Sequence, residues 1–119
     1  MKKAIFAALL FLPASAHAAP VYLDCVVTAE SSTSNYKLTL DEPRGEVTYE
    51  VLQSGKIARL PALFTSDAVT WVPIKDSIME LQFSVSRLDL KLTRTLRIGN
   101  KSTPETGMCK LATPVKRAF

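Results

Sequence analysis

The sequence predicts an all-β domain, a small antiparallel barrel or two-layer sandwich of about six to eight strands, closed by one disulfide. Three observations predict it. Apolar residues recur at every second position in short runs broken by turn residues; no stretch sustains a helical period; and two cysteines, Cys25 and Cys109, stand near opposite ends of the chain.

Residues 1–18 read as a secretory leader. Lys2 and Lys3 supply the charged start, residues 4–12 the apolar run, and Ala16-His17-Ala18 the small-x-small cleavage pattern, with the cut after Ala18. The apolar run is far short of the roughly 20 residues needed to span a bilayer. A lipid anchor needs a cysteine at the cleavage point, whereas Cys25 follows Tyr22-Leu23-Asp24. The expectation is therefore a periplasmic or secreted mature chain, residues 19–119, forming a single domain without stable membrane insertion. The leader removes two of the 15 basic residues, leaving 13 against 11 acidic ones, a formal charge of +2. That modest and interspersed charge, together with export, argues against a nucleic-acid partner.

The strands follow in order. Val21–Ala29 forms the first, and the polar residues 30–34 a loop. Tyr36, Leu38 and Leu40 line one face of the second, and the cluster at 41–45, with Pro43 and Gly45, makes the turn. Val47, Tyr49 and Val51 face the same way on the third, which pairs with the second as a hairpin. Gln53-Ser54-Gly55-Lys56 turns the chain again. Residues 57–64 are apolar but contain Pro61, which restricts them to an edge strand or irregular crossing. Val69, Trp71 and Pro73 alternate on a fifth run, and Met79, Leu81, Phe83 and Val85 on a sixth. The strongest alternation is the last: Leu88, Leu90, Leu92, Leu96 and Ile98 against Asp89, Lys91, Thr93, Thr95 and Arg97. Gly45, Gly55, Gly99 and Gly107 are isolated and read as turn residues, as does Asn100-Lys101-Ser102, and 114–117 reads as a frayed tail.

An oxidising compartment favours pairing the two cysteines. Cys25 is in phase with Val21, Leu23 and Val27, and Cys109 with Leu111, so both thiols are expected to point into the core. The bond closes a loop of about 85 residues, worth on the order of 4 to 5 kcal/mol in the chain-entropy model. It also constrains topology. A disulfide requires Cα atoms within about 7 Å, which the two outermost strands of an open meander do not meet, so the sheet must curl until its ends join.

The single histidine, His17, belongs to the leader, which removes Ser-His-Asp and Cys-His catalysis and the commonest zinc ligand from the mature domain. The isolated glycines make no phosphate-cradling loop, and no spacing specifies a cofactor. Eleven carboxylates remain, none singled out as a hydrolytic pair. The expectation is no enzyme.

Three features suggest a partner-binding surface. Arg94 interrupts the apolar face of the last long strand, where an unpaired charge is costly; it either receives an anionic partner, pairs with a carboxylate at a barrel mouth, or is turned outward by a bulge. Trp71 is either an interface anchor or core. The loops at 30–35 and 53–56, the latter with Ser54 and Lys56, offer exposed polar tips. Small size, export, strand content and the terminus-to-terminus disulfide are similar to the periplasmic lysozyme inhibitors of bacteria and to some toxin-immunity proteins. The Ser-Gly-x-x-Tyr loop of the former is absent, Ser54-Gly55 being followed by Lys56-Ile57-Ala58, so no residue roles carry over. The functional expectation is a non-enzymatic binding module, inhibitor-like or immunity-like, acting on another protein of the cell envelope. The alternatives are a carrier of a lipid or small apolar ligand, or a structural subunit of an envelope assembly.

Overall fold

The structure, a computed structural model, describes residues 19–113; the expected leader with His17 and the expected tail at 114–117 lie outside the described residues. The described residues form one sheet of nine antiparallel strands: β1 (Val21–Ala29), β2 (Ser32–Asp41), β3 (Glu46–Val51), β4 (Lys56–Pro61), β5 (Leu63–Phe64), β6 (Ala68–Lys75), β7 (Met79–Ser86), β8 (Lys91–Ile98) and β9 (Lys101–Leu111). Their spatial order is β4-β3-β2-β1-β9-β8-β7-β6-β5, curled into a nearly closed barrel. No helix occurs among the described residues.

The first and last strands are therefore neighbours in the middle of the sheet. Cys25 sits directly opposite Cys109 in the β1–β9 register, and the disulfide joins them with a Cα separation of 4.0 Å. Both cysteines are buried, as their phase implies. The sheet's two edges, β4 and β5, come instead from one continuous stretch in mid-chain. It bends at Ala62, pairing with β3 before the bend and with β6 after it, which is how one strand turns a corner between sheets. The Ala62 N–H donates to the Gly45 carbonyl (2.9 Å) and fixes the bend.

The inward-facing residues predicted by alternation form the core. Leu23, Cys25 and Val27 of β1, Tyr36, Leu38 and Leu40 of β2, Val47 and Tyr49 of β3, Val69 and Trp71 of β6, and Phe83 and Val85 of β7 are all buried. Aromatic rings fill the middle of the barrel. Trp71 stacks on Phe83 at 5.4 Å between centroids, and Tyr36 meets Phe83 edge-on at 5.3 Å. Around these rings the interior is packed with side chains, as in small barrels generally.

Several expectations are corrected. The described residues form nine strands rather than six to eight, because the 57–64 run divides at Ala62 and because β9 was not predicted. The polar loop at 30–34 is mostly strand: only Glu30 and Ser31 turn, and Ser32, Thr33 and Ser34 pair with Ala29, Thr28 and Val27. The last long alternation starts late. Leu88 lies in an exposed turn and Leu90 takes φ +62°, so β8 begins only at Lys91. Pro73 interrupts the β6 alternation, the register shifting between Trp71 and Ile74. Lys101 and Ser102 pair in β9, leaving Gly99 and Asn100 as the two-residue turn. Gly107 is not a turn residue: it lies in β9 against β1, where a Cβ would collide with the Val26 carbonyl oxygen.

Antiparallel alternation sorts the connections to two ends. The turns at 42–45, 65–67 and 87–90 share one end with the start of β1 and the finish of β9. The hairpin tips at 30–31, 52–55, 76–78 and 99–100 share the other.

Candidate functional site

The sequence-predicted candidates do not converge. Trp71 is 2% exposed and belongs to the core, where its indole N–H has no hydrogen-bond partner among the described residues. Arg94 points into the barrel, in phase with Leu92 and Leu96, and its charge is met there. Its Nε donates to Glu105 Oε1 at 2.8 Å, its Nη2 donates to the same oxygen, and its Nη1 donates to Tyr36 Oη and to Ser34 Oγ (3.3 Å). Burial works against the Arg94 charge, but the hydrogen bonds to Glu105 and Tyr36 outweigh it and hold its pKa above the ordinary value. Of the three readings of Arg94, the geometry is that of a residue paired with a carboxylate. Glu105 was not legible as its partner, because it sits in the unpredicted β9, directly across from Arg94 in the β8–β9 register. Ser54 and Lys56 lie at the β3–β4 tip, where the Ser54 hydroxyl accepts the Lys56 N–H (3.2 Å), a local turn contact.

A different feature stands out at the turn end. An open, mainly apolar recess of about 490 Å³ enters the barrel there. Leu23, Leu40, Val69 and Val85 line its buried inner part, and Leu88 and Leu111 stand at its rim, 79% and 71% exposed. Leu111 keeps the phase of Cys109 and pairs with the buried Leu23, yet stays exposed and forms part of the recess wall. Phe64 and Leu90 contribute further apolar surface.

One ion pair ties the rim. Arg87 reaches Glu42 in a bidentate contact, Nη2 to Oε1 at 2.8 Å and Nη1 to Oε2 at 3.2 Å, and Nη1 also donates to the Thr65 carbonyl at 2.8 Å. Three turns are thereby joined across the mouth. The Arg87 hydrogen bond holds the Glu42 carboxyl below its ordinary pKa. This cation and carboxylate satisfy each other at the rim, so neither is left as an unpaired charge beside the apolar lining.

Among the described residues, no group of three His, Cys, Asp or Glu side chains could hold a metal ion, and no helix is long and apolar enough to cross a membrane. Compared with known proteins, the chain matches no family model, no curated protein and no solved structure.

Proposed function

We propose that the protein is an exported, non-enzymatic binding module that engages another protein of the cell envelope through the turn end of its barrel. The apolar mouth with its exposed Leu88 and Leu111 carries this reading. Exposed aliphatics around a recess are what a partner's anchoring side chain requires. The recess is floored by Leu23, Val69 and Val85, and the aromatic cluster fills the barrel beyond, so an occupant enters from outside and remains partly outside. The disulfide suits an oxidising compartment.

Affinity capture from periplasmic and cell-wall extracts with the mature, oxidised domain tests this. The expected result is a protein retained by the wild type and lost with Leu88→Lys or Leu111→Lys. Retention unaffected by both substitutions would move the contact surface elsewhere.

The recess volume favours a second reading, uptake of a small apolar ligand, since ligand pockets span roughly 300 to 1,000 Å³. Organic extraction of the purified protein followed by mass spectrometry decides it, an empty extract removing the carrier.

A further inference from the structure

The two ends of the barrel complement each other. At the hairpin-tip end, the β6–β7 and β8–β9 hairpins lie side by side because β7 pairs with β8. Their tips carry Ile78 and Ile98, 66% and 50% exposed. Met79 pairs with Ile98, and the Gly99 N–H donates to the Ile78 carbonyl at 3.0 Å, so the two isoleucines are held as one aliphatic knob. No other described residue buries it. At the opposite end lies a recess of about 490 Å³ lined by leucine and valine. An apolar cavity of about 150 Å³ holds one benzene, so the recess has room for two aliphatic side chains.

Charge points the same way. The turns around the recess and the strand ends next to them carry Asp41, Glu42, Glu46, Asp67 and Asp89 against Arg44, Arg87 and Lys91, a net −2, and the α-amino group that the mature chain has at Ala19 brings this end to −1. The two tips and the strand ends that carry them hold Lys75, Arg97 and Lys101 against Asp76 and Glu80, a net +1. Glu80 is bound to Arg97, which leaves the two lysines as the cations facing outward. The body of the barrel separates the two surfaces, so a molecule does not cover its own recess with its own knob.

We propose that a second copy of this chain occupies the mouth: the Ile78–Ile98 knob of one molecule enters the Leu88–Leu111 recess of the next, head to tail. This rests on reading the mouth as a protein-contact surface and names the partner. The contact is heterologous, so every added molecule leaves one recess and one knob free. Association then runs past a dimer unless the rotation closes a ring.

Sedimentation velocity of the mature, oxidised protein, up to about 1 mM where transient contacts become populated, provides the test. Ile78→Asp spoils the knob and Leu88→Lys spoils the recess, each with a charge that also repels the facing surface. Wild type is expected to grow beyond a dimer with concentration, and each variant alone to remain monomeric. An equimolar mixture of the two is expected to stop at a dimer, because the first still has its recess and the second its knob. Val26→Asp, on the exposed outer face of β1, is expected to leave wild-type assembly unchanged. Thermal melts establish that each variant is folded, and Ile78→Ser or Leu88→Ser replaces any that is not. A wild type that stays monomeric throughout, or a mixture that forms no dimer, overturns the proposal. In either case, Leu88-dependent capture of a different protein would leave the mouth reading intact, and its loss as well would remove both.

Discussion

At the scale of single residues, the interior is set by pairs whose members lie far apart in sequence. Arg94 is tolerated on an inward-facing position only because Glu105 faces it across β8 and β9 and Tyr36 and Ser34 approach from β2. Glu105→Ala removes the carboxylate and leaves a largely buried guanidinium with hydroxyls alone. We expect a loss of about 2 kcal/mol in urea denaturation, below the roughly 3 to 5 kcal/mol for breaking a fully buried pair because the site is partly open to water. Replacing both residues by methionine is expected to cost less than Glu105→Ala alone; an equal or larger cost would show that the pair contributes more than mutual neutralisation. Gly107 represents a different constraint. An added methyl group would collide with the Val26 carbonyl and, at 2.8 Å, with Val27 Cγ2. Gly107→Ala therefore has to push β9 from β1, at a cost of about 2 kcal/mol, and the melting temperature is expected to fall by about 10 °C.

At the scale of elements, legibility followed alternation. β1, β3 and β7 show it plainly, and β6 as far as Trp71, because each packs one apolar face on the core and turns the other to water. β9 hid from such a reading because its inward positions, Thr103, Glu105 and Gly107, are chosen to fit particular residues on neighbouring strands rather than to bury hydrocarbon. Serines and threonines at 32–34 suggested a loop, yet they extend β2 where the barrel interior becomes polar around Arg94. Leu88 and Leu90 continued an apolar period through a turn, since the same leucines that mimic a strand furnish the mouth. The recess itself was illegible: its lining is gathered from six strands and two turns, which no local pattern relates. The hairpin turns also carry the acid response. Asp76 accepts the N–H groups of Ile78 and Met79, both at 2.8 Å, and these bonds hold its pKa below the ordinary 3.8. A group depressed in the folded state stabilises fully above its unfolded value and loses that contribution as pH falls through the folded one. Glu42, depressed by Arg87, behaves alike below its ordinary 4.5. Melting temperature is accordingly expected to drop as pH is lowered below about 4, and Asp76→Asn to flatten part of that drop; an unchanged acid limb would remove Asp76 from the account.

At the scale of the whole molecule, the disulfide and the strand order act together. The seam between β1 and β9 unites segments 84 residues apart in sequence, so the bond constrains nearly all of the unfolded chain. The chain-entropy model gives it on the order of 4 to 5 kcal/mol, comparable with the entire stability of a marginal domain. Cys25→Ala/Cys109→Ala is expected to lower the urea midpoint by about 2 M or more. A shift below half of that would mean that the hydrogen-bonded seam alone holds the barrel shut.

The bend at Ala62 has one more implication. Because both sheet edges meet there while the described chain starts and stops beside the central seam, joining Thr113 to Ala19 and cutting at Ala62 would convert the connectivity into a simple up-and-down ribbon. Contacts would become more local, and such a rearranged molecule should fold faster than its parent. The same sulfur bridge would then span a loop of only about a dozen residues and contribute about 2 kcal/mol less. How much this bond is worth thus depends on where the polypeptide happens to be open.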